Sequence, residues 1–260
     1  MHTRSGGADL YFEVDGAGPP VLLVHGYPLS GALWSDVVPH LARDHRVIVP
    51  DLRGHGRSEA VGRVTMDDMA DDLLAVLEAA DESRPVVLVG MSMGGYVSLA
   101  FCRLHRDRVR ALALVDSRAA ADSAEAAENR RRTAEQVMRE GSAAAIAEEM
   151  AGKLFTNDVD RDLRELWRQR MADTPPAGVA AALRAMADRP DSTAFLRETD
   201  LPLLIVVGSE DRITPPEEAR ALAEAAGATL EVIEGAGHAA PAERPQEVAA
   251  ALRRFLEALP

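Results

Sequence analysis

Six short apolar runs, nearly free of polar interruption and separated by sequence of helical period, constrain this chain most. They span Val21 to His25, Arg46 to Pro50, Pro85 to Gly90, Ala111 to Val115, Leu203 to Val207 and Thr229 to Ile233. A strand with one wet face alternates apolar and polar residues, whereas a strand covered on both faces does not, as in a parallel sheet. The helical stretches between them carry readable ends. Thr65 precedes Met66-Asp-Asp-Met with acids in the first turn, where the helix dipole favours them. Thr214-Pro-Pro-Glu217 reads as a capping box with a proline at the first helical position, closed by Gly227, and Pro245 opens a last helix running to about 259. Strand–helix alternation of this kind predicts an α/β fold with a doubly wound, mostly parallel sheet. The opening Ala8 to Val14 alternates more regularly and predicts an antiparallel edge hairpin with the residues after Gly16.

One region breaks the rhythm. From 118 to 191 the chain is rich in Ala, Glu and Arg, with interruptions at Gly141, Gly152, Thr174-Pro-Pro and Arg189-Pro190. Apolar residues at helical spacing (Val137, Ile146, Met150, Leu154, Phe155, Leu163, Leu166, Trp167) predict packed helices. The expected organisation is therefore a core of 1–117 and 192–260 and a helical cap of 118–191, inserted after the sixth strand. A segment without strands is expected to rest on the sheet edge through few contacts and to open more easily than the core.

Bulk properties narrow the function classes. With 260 residues, 47% of them hydrophobic, the chain can bury a large core. Its formal charge of −13 repels polyanions and so argues against a nucleic-acid partner; it reads as a solubility feature. A single cysteine, Cys102, excludes an internal disulfide and lies in an apolar stretch, as a buried inert thiol would. No apolar run approaches the roughly 20 residues of a membrane span. The N-terminus lacks the apolar core of a secretory signal, so no membrane partner and a cytoplasmic location are expected.

The chemistry-bearing signal is Gly90-Met-Ser92-Met-Gly94, directly after a buried run and before a helical one. A sharp strand-to-helix turn strains the serine backbone and presents its hydroxyl at the sheet edge, while small residues allow close approach. Ser92 is thus the candidate nucleophile. Serine needs a base, and among seven histidines His238 sits in a Gly-Ala-Gly-His loop after the last strand. The acid that orients it is read as Asp211, after the run 203–207, with Glu210 and Asp116 as alternatives. An oxyanion needs two amides: Met93, which follows the nucleophile, and Tyr27 in the His25-Gly-Tyr-Pro loop. His25 reads as structural, and Asp51-Leu-Arg-Gly-His-Gly-Arg-Ser58 as a scaffold loop. Trp34, Phe155 and Trp167 are candidate pocket residues, with replacement of the last two expected to shift acyl-length preference. No metal-ligand spacing is present and no cofactor is implied.

These five motifs, in this order, resemble the α/β-hydrolase fold superfamily, and the match covers nearly all of the chain outside 118–191. The resemblance implies a Ser92–His238–Asp211 triad, oxyanion amides at Tyr27 and Met93, and a cap over the pocket. Within the superfamily the chain looks most like carboxylesterases and 3-oxoadipate enol-lactonase-like hydrolases. Relatives with an aspartate nucleophile, the haloalkane dehalogenases and epoxide hydrolases, are disfavoured by serine at 92. The expected substrate is a small-molecule ester or lactone. Cofactor-free perhydrolase or lyase chemistry, or a non-catalytic receptor, are the alternatives that such a fold leaves open.

Overall fold

Eight strands form one sheet in the computed structural model, which describes residues 1–60 and 62–260. They are β1 (His2–Ser5), β2 (Ala8–Asp15), β3 (Pro20–Val24), β4 (Arg46–Pro50), β5 (Val86–Met91), β6 (Val109–Val115), β7 (Leu203–Gly208) and β8 (Thr229–Ile233). Their spatial order is β1-β2-β4-β3-β5-β6-β7-β8, parallel from β4 to β8 and antiparallel at the β1–β2 and β2–β4 pairs. The edge hairpin therefore exists, but β2 forms it with β1 before it rather than with the residues directly after Gly16. Those residues enter β3, which is drawn into the sheet interior because every one of its side chains is buried.

The helices, in chain order, are α1 (Val38–Leu41), α2 (Met66–Ala79), α3 (Met93–Leu104), α4 (Ala124–Glu140), α5 (Ala144–Leu154), α6 (Arg161–Ala172), α7 (Pro176–Ala187), α8 (Thr193–Glu198), α9 (Pro216–Ala226), α10 (Ala240–Glu243) and α11 (Pro245–Ala258). Because side chains alternate across a strand, Leu22, Val24, Leu88 and Ile205 pack with Leu73 of α2, Val97 of α3 and Ala219 of α9. Val21, Leu23, Val87 and Val206 pack on the other face with Leu41 of α1 and Leu252 of α11. Both faces are covered from β3 to β7, which is why those runs show no polar alternation. By contrast, β8 at the sheet edge is only partly buried and alternates, a correction to the expectation for 229–233.

Between β6 and β7 the chain makes the helices α4 to α8. The Ser192 amide donates to the Ala119 carbonyl at 2.9 Å, so the insertion leaves and re-enters the core at adjacent points. Several contacts join it to the core. The Ala239 amide donates to Leu154 at 2.9 Å, and the Thr174 hydroxyl donates to Pro28 at 3.3 Å. Gly178 of α7 lies so close to Gly54 that a Cβ on it would come within 1.9 Å of the Gly54 oxygen. The buried Glu243 carboxylate accepts from the Thr156 amide at 2.7 Å and hydroxyl at 2.8 Å, and with its other oxygen from the Gly237 amide at 2.5 Å.

Thr65 caps α2 as expected, with a reciprocal bond to Asp68. Thr214 does not cap α9. That helix begins at Pro216, and the Thr214 hydroxyl donates instead to Asp211 at 2.5 Å. A buried carboxylate competes better for a hydroxyl than the backbone of a helix end does.

Candidate active site

Ser92 stands at the junction of β5 and α3 with φ of 51° and ψ of −116°, a conformation that costs a non-glycine residue about 1–3 kcal/mol. The surroundings over-determine it. The Ser92 amide donates to Val115 at 2.9 Å, and its carbonyl accepts from the Gly95 amide and the Ser117 hydroxyl. The flanking glycines answer a steric need: a Cβ on Gly94 would sit 2.3 Å from the Val24 oxygen, and one on Gly90 2.4 Å from the Gly94 oxygen. The turn thus brings α3 hard against β3, and the Met93 amide opens the helix, where first-turn donors have no intrahelical partner.

The Ser92 hydroxyl donates to His238 Nε2 at 2.8 Å, and His238 Nδ1–H donates to Asp211 Oδ2 at 2.8 Å. Asp211 Oδ1 accepts from the amides of Ile213 and Thr214 at 2.7 and 3.0 Å. Burial alone would raise the Asp211 carboxyl, but His238 and Thr214 hold it below its ordinary value. The structure therefore brings together Ser92, His238 and Asp211. It does not bring Asp116 to the imidazole: that carboxyl accepts from the Gly208 and Ala240 amides at 2.8 and 3.3 Å. Burial, with the neighbouring Asp211 charge, pushes it well above the carboxylate range. Glu210 is exposed.

A cavity of about 550 Å³ lies over this line of residues, with Ser92, His238, Tyr27 and Tyr96 opening on it from the core and α4, α5 and α7 from above. Trp34, Phe155 and Trp167 do not line it. All three are buried in the core layer shared by α1, α5, α6 and α11, so the expectation that they form the pocket is corrected. Helical periodicity marks an apolar face without saying whether that face meets packed side chains or a void. The cavity's apolar wall comes from Ile146, Met150, Leu183 and Met186 instead. Arg130, Glu149 and Arg212 also line it. Their charge in a polar helix or loop gave no sequence signal, whereas Thr214 directly follows Ile213, whose amide closes the aspartate turn two residues after Asp211.

Behind the Tyr27 loop, His25 Nδ1–H donates to Gly26 at 2.8 Å and its Nε2 accepts from the Leu52 amide at 2.8 Å. His55 donates to Arg53 at 3.1 Å. The loop 51–58 is held by Asp51, which accepts from the amides of Gly31 and Arg57 at 2.7 and 2.8 Å. Burial lowers His25 to about 4; burial and then the His25 charge lower His55 to about 3. Both rings are thus neutral in the folded chain at pH 5, while the unfolded chain protonates them below about 6.5. The unfolded state binds more protons in that window, so stability is lost as pH falls from about 6.5 toward 4. A folded His55→Leu variant should show a shallower loss than the parent, by up to about 1.4 kcal/mol per pH unit, in denaturant titrations across that range. Identical slopes would mean His55 takes up its proton in the native state. Cys102, also buried, has its thiol pushed up to about 12.

Comparison with known proteins matches residues 19–245 to the family model described as alpha/beta hydrolase fold. A pimeloyl-[acyl-carrier protein] methyl ester esterase of Neisseria meningitidis is 30% identical over 255 residues, covering 91% of this chain and 92% of that protein. A 3-oxoadipate enol-lactonase of Acinetobacter baylyi is 29% identical over 82% of this chain and 80% of its own length. Among solved structures, a thermophilic esterase from Thermogutta terrifontis superposes with a TM-score of 0.95 at 45% identity, covering 99% of this chain and 97% of that one.

Proposed function

The chain belongs to the alpha/beta hydrolase fold family, and from that premise we propose that it hydrolyses a carboxylic ester or lactone through an acyl-enzyme on Ser92. The observation that carries this reading is the unbroken hydrogen-bonded line from Ser92 through His238 to Asp211 at the floor of the cavity. His238 Nε2 takes the serine proton as Oγ attacks the carbonyl carbon, and Asp211 stabilises the imidazolium that forms. The amides of Tyr27 and Met93 receive the developing oxyanion. The imidazolium then protonates the leaving alkoxide, the acyl group stays on Ser92, and a water activated by the same imidazole releases the acid. In a lactone the alkoxide remains tethered to the acyl chain. No step uses a metal or cofactor.

A fluorophosphonate should label the chain once, at Ser92 by mass spectrometry, and p-nitrophenyl acetate should give a stoichiometric burst. Turnover with the label elsewhere, or no turnover of any ester or lactone, would overturn the reading. Acyl-length preference should follow the true cavity wall. Leu183→Trp fills space at the cavity and should raise KM for octanoyl esters by about tenfold more than for acetyl esters. Trp167→Ala, in the packed core, should instead cost about 3–5 kcal/mol of stability and leave the order of preference as it was. If Trp167→Ala reordered the acyl series, α6 would reach the substrate.

A further inference from the structure

The cavity carries a second polar focus besides Ser92 and His238. Three cations line it, Arg130, Lys153 and Arg212, against one carboxylate, Glu149, in a chain whose formal charge is −13. Lys153 is spent on Glu149, its Nζ 2.5 Å from that carboxylate. Arg130 is not neutralised in the same way. Its Nε donates to Asp122 at 2.6 Å, but Asp122 also holds Arg189 at 2.8 Å, so one carboxylate serves two guanidiniums. Arg189 is stacked on the Tyr96 ring at 4.0 Å and gives its remaining bonds to backbone carbonyls, which bring no charge. Asp191 adds a second carboxylate to the field around Arg189, while the far end of Arg130 stands at the cavity side of α4, where its Nη1 meets the Met186 sulfur at 3.5 Å.

Tyr27 lines the same cavity. Its side chain is more than nine-tenths buried, and its hydroxyl has no hydrogen-bond partner among the described residues. Burial keeps that phenol protonated, and the two side-chain charges that act on it are Arg130 and Glu149. A buried donor without an acceptor, beside a guanidinium whose Nη1 meets a sulfur instead of a carboxylate, is a site short of an anion. The rest of the wall, Ile146, Met150, Leu183 and Met186, suits a stretch of methylenes.

We infer that the cavity selects esters or lactones whose far end carries a carboxylate, held by the Arg130 guanidinium and the Tyr27 hydroxyl with Arg212 adding to the positive field. This assignment of substrate class rests on the hydrolytic reading of Ser92. A half-ester of a medium-chain dicarboxylic acid meets both demands: an ester at Ser92 and an anion under α4.

The test separates binding from turnover. Monoethyl adipate and diethyl adipate are titrated calorimetrically into the full chain carrying Ser92→Ala, which holds either ligand uncleaved. The half-ester should bind at least about tenfold tighter. Adding Arg130→Gln should bring the ratio close to one, while Arg139→Gln, an equal loss of charge at an exposed position of the same helix, should leave it in place. Tyr27→Phe should reduce the ratio severalfold without lowering the melting temperature, because the hydroxyl it removes has no partner among the described residues. If Arg130→Gln fails to fold, Tyr27→Phe decides alone. A ratio near one in the parent, or one unmoved by both substitutions, overturns the inference. Turnover of p-nitrophenyl acetate by the chain with Ser92 intact is scored separately. Cleavage without acid preference sinks only this assignment, whereas acid preference without cleavage of any ester sinks the hydrolase reading and leaves the anion site standing.

Discussion

Ser92→Ala should abolish ester turnover, with kcat falling on the order of 10⁶-fold while the chain stays folded. The substitution removes the oxygen bonded to His238 Nε2 and leaves everything that shapes the turn, since the Ser92 bonds to Val115, Gly95 and Ser117 are all made by its backbone. The strained φ of 51° persists with alanine, so the melting temperature should change little. Activity is measured as single-turnover and steady-state hydrolysis of an activated ester, with folding checked by circular dichroism. A folded variant keeping a tenth of the parent rate would remove Ser92 from the chemistry and leave the geometry at β5 without a use.

Asp211→Asn should cost on the order of 10⁴-fold in kcat. The reason lies in how this carboxylate is bound. Oδ1 is committed to two backbone amides, so the asparagine oxygen must occupy that place and the amide nitrogen must face His238. Nδ1 would then have to accept, which moves the imidazole proton to Nε2 and points it at Ser92 Oγ. An imidazole in that tautomer cannot take the serine proton. Asp116→Asn should cost far less, because Asp116 bonds backbone amides at the ends of β7 and α10 and leaves His238 untouched. If the ranking of the two variants were reversed, Asp211 would be a loop-holding residue and the acid would have to be sought at Asp116.

Much of this was legible in the chain because it is written in local rules. A strand covered on both faces shows its burial directly, and the glycines around Ser92 are demanded by contacts between adjacent elements. Chain order admits Asp116, Glu210 and Asp211 alike, and only the folded loops set Asp211 against the imidazole. The features that stayed illegible depend on long-range placement. Trp34, Phe155 and Trp167 carry the pattern of any apolar helix or turn, and only the packing of α5 and α6 onto the face of α1 and α11 decides that they are core. Thr214 obeys a capping rule in sequence, yet its hydroxyl is taken by a carboxylate whose own position is fixed by β7. The hairpin of β2 with β1, rather than with the residues directly after Gly16, turns on which partner the sheet interior claims first. The ion pairs of Asp122 join Arg130 of α4 to Arg189 at the exit of the insertion, and no short window of sequence contains both.

The Gly54–Gly178 contact and the Glu243 carboxylate constrain how this enzyme can be rebuilt. A helical segment transplanted here from a relative would need glycine at 178 to clear the loop at 54, and a hydroxyl at 156 to join the backbone amide there in satisfying Glu243. Without that hydroxyl, a buried carboxylate beside the histidine loop would lose one of its three donors, and its hold on the Gly237 amide would loosen. Recombination between such hydrolases should therefore succeed when residues 54, 156, 178 and 243 travel together with the graft, and fail by misplacing His238 rather than by misfolding when they do not.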